Sequence, residues 1–234
     1  MVTDIFFDLD RTLWDFDTNS DTALRVVFEE LGLDTAIESR DNFVKDYIRI
    51  NEEMWDLYRQ GKISKESLRV KRFDDALKLH GVDNQKLATE YCDRYIDFCP
   101  ELTATFPGTH DMLEELKGLG KKLHIITNGF SEVQYRKLSN CGLENFFDVI
   151  ICSDQIGVNK PDPEIFRVAM KKSGAAAAAS MMIGDHPEID VLGANQVGIR
   201  GVLFDPNEHY QPHPSMERIK HLGELPSLVL GVAL

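Results

Sequence analysis

Two carboxylates, Asp8 and Asp10, close the apolar run of VTDIFFDLDRT one residue apart. Alternate side chains of an extended strand share a face, so this spacing predicts that both project into one small volume at the strand's C-terminal end. Carboxylates held that close repel and shift one another's pKa until a cation or a shared proton relieves them. The pattern points to a divalent metal, with a carboxylate available as nucleophile or proton carrier. An acidic turn after a buried strand would carry the same letters, so the triplet gains meaning only from what accompanies it.

Other apolar runs end in equally useful residues. Thr12 follows the first; Thr127, Asn128 and Gly129 follow LHII; Lys160 lies a few residues beyond VIIC in GVNKPDPEIF; Asp185 and Asp190 follow MMIG. Four carboxylates, a hydroxyl beside a glycine turn and one lysine suit a phosphate bound together with a hard cation. Mg²⁺ takes oxygen ligands and keeps several waters, so two carboxylates, a backbone carbonyl and a phosphate oxygen suffice for it. Thr127 and the amides of Asn128 and Gly129 would hold phosphate oxygens, with Lys160 compensating their charge. Each residue alone has an ordinary reading: a helix cap, a solvated loop lysine, an acidic helix start.

These residues need a frame that brings them together. Residues 1–10, 123–127, 149–152, 181–184 and 201–204 read as short strands covered on both faces. Helical segments lie between them. Thr109 is expected to cap one carrying Met112, Leu113, Leu116 and Leu119, and Asp162 with Pro163 forms an N-cap and first-turn pair ahead of Ile165, Phe166, Ala169 and Met170. The alternation predicts an α/β fold with a doubly wound parallel sheet, which binds ligands beyond the carboxyl ends of its strands.

Residues 17–99 break the alternation. Phe43, Tyr47, Ile50, Met54 and Leu57 make one stripe of a long helix, and three more amphipathic segments flank it. The expected organisation is a catalytic core of residues 1–16 and 100–234, with a four-helix bundle of residues 17–99 inserted after the first strand.

Composition narrows the function classes. The 234 residues carry a formal net charge of −13, with 43% hydrophobic and 28% charged residues, as in an ordinary globular protein. That balance offers no electrostatic footprint for a nucleic-acid polymer or an anionic membrane, but a small anionic substrate can bind where the charge is locally positive. No apolar run approaches the roughly 20 residues of a membrane helix. The four cysteines lack C-x-x-C spacing, the N-terminal run lacks a basic leader, and a cytoplasmic protein with reduced thiols is expected.

In its motifs DLDRT, ITNG, NKPDP and GDHPEID, and in the helical insertion between the first two, the chain resembles the haloacid dehalogenase-like superfamily over its whole length. The resemblance implies a nucleophile at Asp8 that forms an aspartyl-phosphate, and a general acid/base at Asp10 that protonates the leaving alkoxide and then activates water. It gives Thr127 and Lys160 the phosphoryl group and the nucleophile to hold. It assigns Mg²⁺ to Asp8, the backbone carbonyl of Asp10, and Asp185, with Asp190 as an auxiliary carboxylate, and makes the inserted bundle a cap. One departure is Arg11, where the superfamily often has glycine. Asp10 also separates chemistries: a departing halide needs no proton, and the dehalogenase branch lacks this second aspartate, so phosphoryl transfer is favoured.

The cap stretch IRINEEMWDLYRQGKISKESLRVKRF, with DLDRTLWDF and LFDPN, resembles the branch that contains cytoplasmic pyrimidine 5′-nucleotidases. In that reading Trp55 stacks a base, Asn51 pairs with it and Arg72 reaches phosphate or ribose; bundle core and surface charge explain the same three residues as well. The alternatives are a sugar-phosphate or acylneuraminate phosphatase, then a phosphomutase or 2-haloacid dehalogenase. A phosphoaspartate receiver module is the non-enzymatic rival, though such modules are about half this length and lack an insertion.

Overall fold

The computed structural model describes residues 1–211, 213 and 216–231. The chain divides into two compact units, residues 1–16 with 103–234, and residues 17–102.

The first unit is built on a six-stranded sheet. Its strands are β1 (Asp4–Phe7), β2 (Lys122–Thr127), β3 (Val149–Cys152), β4 (Ser180–Gly184), β5 (Arg200–Phe204) and β6 (Glu217–Ile219), in the order β3-β2-β1-β4-β5-β6 and parallel at every pairing. β1 lies between β2 and β4, with Phe7 level with Ile125 on one side and Ile183 on the other. This register brings the residues after β1, β2 and β4 to one end of the sheet. Strands β1 to β5 are built around apolar runs because both faces are covered: Phe6, Ile126, Ile151 and Met182 join Ile165, Phe166 and Ala169 in one fully buried cluster.

Chain order adds α1 (Phe16–Glu30), α2 (Arg40–Arg59), α3 (Lys65–Leu79), α4 (Gln85–Phe98), α5 (Thr109–Gly118), α6 (Ser131–Asn140), α7 (Ser153–Ile156), α8 (Pro163–Ser173), α9 (Gly193–Asn195) and α10 (Leu225–Leu230). Asp162 caps α8 by accepting from the Glu164 amide at 2.8 Å, with Pro163 following it. Thr109 does not cap α5. Its hydroxyl donates to Phe106 O at 2.7 Å, and the helix is entered through Gly108 at φ 82°, a conformation only glycine adopts without strain.

The second unit holds four helices and no strand among its described residues. Ser39, Ser64 and Asn84 cap α2, α3 and α4 through backbone amides three residues on. Phe43, Tyr47, Ile50 and Met54 of the α2 stripe are buried and Leu57 is half-buried. Phe73 and Tyr91, with centroids 4.9 Å apart, tie α3 to α4. This unit runs past residue 99 to Leu102, because the 3₁₀ turn Cys99–Glu101 continues α4. No helix among the described residues is long and apolar enough to cross a membrane, and no disulfide joins the four cysteines.

Candidate active site

β1 ends at Phe7, so Asp8 is the first residue past the strand, tied to the neighbouring strand by its amide bond to Ile183 O. Lys160 lies beneath it, 1% exposed, and all three of its ammonium hydrogens are used: by Asp8 Oδ1 and Asp190 Oδ1 at 2.6 Å each, and by Ile126 O at 2.8 Å. Burial raises the Asp8 carboxyl, Lys160 pulls it back, and the Asp190 charge raises it again, leaving it pushed up to about 7. Burial works against the Lys160 charge, but the charges of Asp190 and then Asp8 outweigh it and hold the ammonium above its ordinary range. Asp185, half-buried just past β4, is raised well above the ordinary carboxyl range by burial and then by the charges of Asp190 and Asp8. The cluster carries more negative charge than one lysine balances.

The loops beyond β2 and β4 fix this cluster. The Asn128 side chain accepts from Lys160 N at 2.7 Å and donates to Lys160 O at 3.0 Å, a two-point clasp that seats the lysine-bearing loop. Thr127 Oγ accepts from Gly129 N at 3.0 Å, which leaves its hydroxyl hydrogen to donate. Asp190, 1% exposed, accepts from Lys160 through one oxygen and from the His186 amide through the other. It lies across Gly184, where a Cβ would come within 2.3 Å of its carboxyl carbon. Gly184 is thus required by Asp190.

Asp10 lies near enough to Asp8 for its charge to help raise the Asp8 carboxyl, but strand alternation is not what places it there. The chain leaves the strand at Asp8 and winds into a turn in which the amides of Thr12, Leu13 and Trp14 all point to Leu9 O, so the period-two argument lapses after Phe7. The Asp10 carboxylate turns toward α6: Lys137 Nζ donates to one oxygen at 2.5 Å and Gln134 Nε2 to the other at 2.8 Å. Sequence reasoning missed both residues. The available signal was a glutamine and a lysine at i, i+3 just after ITNG, indistinguishable in sequence from a solvated helix face. Gly129 makes room for this contact, since a Cβ there would fall 1.6 Å from Gln134 Nε2.

Arg11 occupies the same turn at φ 64°, which explains the usual glycine, and its guanidinium stacks 4.9 Å from the Phe16 ring. An Arg11→Gly variant is expected to be more stable than Arg11→Ala by about 1 kcal/mol, since both lose the stacking and only glycine escapes the left-handed penalty. Paired denaturant titrations measure the difference; equal midpoints would remove the strain argument.

The three cap residues singled out in sequence belong to the helical unit. Asn51 and Arg72 are brought together, Arg72 Nη1 donating to Asn51 Oδ1 at 2.8 Å, and both are buried, with the guanidinium over Phe73 and Tyr95 at 5.1 and 5.4 Å. Trp55, half-buried, stands edge-on to Tyr58 at 5.7 Å.

Comparison with known proteins follows this geometry. The profile of the haloacid dehalogenase-like hydrolases matches residues 5–204. The pyrimidine 5′-nucleotidase YjjG of Escherichia coli is 32% identical over 209 residues, 89% of this chain and 88% of its own. The ribulose-1,5-bisphosphate 5-phosphatase of Halopiger xanaduensis is 32% identical over 98% of this chain and 100% of its own. Among solved structures, the magnesium-bound HAD-hydrolase YfnB from Bacillus subtilis superposes with a TM-score of 0.87 at 27% identity, covering 98% of this chain and 99% of that one. A family profile that spans the sheet from β1 to β5, together with relatives matched over most of their length, makes this chain a member of the haloacid dehalogenase-like hydrolase family.

Proposed function

We propose that this protein is a Mg²⁺-dependent phosphomonoesterase that turns over through an aspartyl-phosphate on Asp8, with pyrimidine nucleoside 5′-monophosphates as its substrates. The observation that carries the chemistry is Lys160 bridging Asp8 and Asp190 and reaching the carbonyl of Ile126, the residue before Thr127, at the ends of β1, β2 and β4. Phosphatase activity accords with the named activities of the two relatives above.

The residues fit a magnesium ion. Asp8 is a buried and Asp185 a half-buried oxygen donor, each raised by burial and by neighbouring negative charge, that of Asp8 acting on Asp185, the state a divalent cation relieves. Mg²⁺ takes few protein ligands and keeps several waters, so two carboxylates and a backbone carbonyl suffice to hold it. Asp8, Asp185 and the Asp10 carbonyl would hold it. Once bound, it would offset the negative charge of the carboxylates and the phosphoryl oxygens.

The chain's own residues then divide the work. Lys160 fixes Asp8 through Oδ1, so Oδ2 is the oxygen presented to phosphorus. Thr127 donates its hydroxyl to a phosphoryl oxygen, and the amide of Asn128 adds a second donor. Asp10 gives a proton to the leaving oxygen in the first half-reaction and takes one from water in the second. Seating Lys160 and Asp8 in fixed positions removes reorganisation from the attack.

A phosphate-release screen across nucleoside monophosphates and sugar phosphates tests the substrate, with uridine and thymidine 5′-monophosphates expected to lead. The Halopiger relative favours a second reading, a sugar-phosphate phosphatase, which a screen led by pentose or hexose phosphates would install. Trp55→Ala is expected to lower kcat/KM for nucleotides by about 1–3 kcal/mol, the scale of base–aromatic stacking, and to spare p-nitrophenyl phosphate. Equal losses on both substrates would mean that Trp55 only supports its helix.

A further inference from the structure

We infer that Lys137 and Gln134 of α6 form a clamp that sets the orientation of the Asp10 carboxylate, and that they are positioning residues for both proton transfers; this rests on the acid/base role proposed for Asp10.

Each oxygen of Asp10 is taken by its own donor, Lys137 Nζ at 2.5 Å and Gln134 Nε2 at 2.8 Å. Two donors on two oxygens fix the plane of a carboxylate as well as its place, which a single ion pair does not. Both donors are buried, Lys137 at 4% exposure and Gln134 at 1%. The ammonium lies 4.0 Å from the Trp14 ring and 5.7 Å from that of Phe16, so the lysine too is held from behind.

Stability does not account for this arrangement. A buried ion pair adds little over an apolar pair of the same size. The clamp also carries a cost, because Gln134 Oε1 is buried without a hydrogen-bond partner. The amide cannot turn to relieve it, since its oxygen would then face the Asp10 carboxylate. The backbone is adapted to the same contact: Gly129 supplies the space that Gln134 Nε2 fills. An α6 chosen for packing would bury apolar groups at positions 134 and 137, as it does with Leu138.

In the first half-reaction an Asp8 oxygen bonds to phosphorus, the bond from phosphorus to the leaving oxygen breaks, and that oxygen takes the proton of Asp10. In the second, water gives a proton to Asp10 and its oxygen bonds to phosphorus as the phosphorus–Asp8 bond breaks. Lys137 and Gln134 keep their own protons in both steps and hold the carboxylate toward the oxygen that gains or loses one.

The test compares an alkyl phosphomonoester with p-nitrophenyl phosphate, whose leaving group needs no proton. Lys137→Met keeps the aliphatic stem against Trp14 and removes the donor. Its kcat on the alkyl ester is expected to fall roughly 10²-fold, the scale of a misplaced catalytic group, without a matching rise in KM. With p-nitrophenyl phosphate the phosphoenzyme should form at near-normal rate and accumulate, seen as acid-stable protein-bound phosphate, because only its hydrolysis still needs Asp10. Lys137→Arg should recover part of both steps. Gln134→Leu should show the same pattern at smaller amplitude, so the test survives if one variant folds poorly. Equal losses on the two esters with no trapped phosphoenzyme, or a rise in KM at unchanged kcat, would overturn the clamp in favour of a packing or substrate-binding role. Asp10→Asn, run in parallel, separates the two ideas: a crippled Asp10 variant beside a normal Lys137 variant removes the clamp alone, whereas an active Asp10 variant removes the acid/base reading itself.

Discussion

Asp8→Asn should abolish phosphoryl transfer and at the same time stabilise the metal-free protein at alkaline pH. The first effect follows because an amide is a poor nucleophile of nearly the same shape, so no protein-bound phosphate should be trapped from any ester. The second follows from the environment of Asp8. Burial, followed by the opposing pull of Lys160 and the repulsion of Asp190, leaves its carboxyl raised to about 7 from an ordinary value of 3.8. A carboxyl raised on folding favours the native state most fully below its unfolded pKa, and that contribution is lost as pH climbs through the folded value. Metal-free wild type should therefore lose stability between about pH 4 and pH 7 through this group. The asparagine variant lacks the titration, so its Tm should exceed that of wild type at pH 8, with the gap closing toward pH 4. Lys160 remains paired with Asp190 in the variant, which keeps the comparison free of an orphaned ammonium. Added Mg²⁺ should raise the wild-type Tm at pH 8 and do much less for Asp8→Asn. Thermal melts at pH 5 and pH 8, with and without the ion, check all of these; a wild-type Tm that does not fall as pH rises in the absence of metal would remove the assignment of Asp8 as a strained, buried carboxylate.

Those residues were legible because they sit where a rule of parallel sheets puts them. A short run such as LHII or MMIG bounded by turn residues reads as a covered strand, and the polar residue after it falls at the crevice end of the sheet, which is how Thr127 and Asp185 stand out in a bare sequence. Lys160 was harder to read, since it arrives from a loop, and the structure supplies the reason it belongs: the Asn128 clasp on its backbone. β6 escaped because Glu217–Ile219 is three residues long, at the sheet edge, and two of the three are charged, so it offers no apolar run. Asp10 was legible in identity and neighbourhood but not in the contacts that hold it. Strand alternation governs it only if the strand continues, and the turn around Leu9 O starts too soon. Lys137 and Gln134 were illegible for a related cause. A buried polar face on a helix has the same spacing as a solvated one, and only the carboxylate that approaches it from elsewhere in the chain distinguishes the two.

Lys160→Met is expected to have the largest effect on stability. Its ammonium is 1% exposed, satisfies three acceptors and stands between two carboxylates that are themselves buried, Asp8 at 7% and Asp190 at 1% exposure. Breaking a buried ion pair by removing one partner costs about 3–5 kcal/mol, most of it the penalty of leaving charge unpaired in a dry site. For a domain of this size that corresponds to a Tm lower by roughly 6–20 °C. The size of the loss should depend on pH in a direction the geometry fixes. At low pH Asp8 can enter the folded state protonated, so the variant should approach wild type; as pH rises Asp8 is driven to ionise without its counter-charge, and the deficit should grow toward pH 8. Mg²⁺ should recover only part of it, because the ion would be held by Asp8, Asp185 and the Asp10 carbonyl, which leaves the buried Asp190 with the His186 amide and without its lost counter-charge. A variant that melts like wild type at pH 8 would mean that Lys160 is dispensable to the cluster, and the pairing of Asp8 with Asp190 through it could no longer explain how the nucleophile is held.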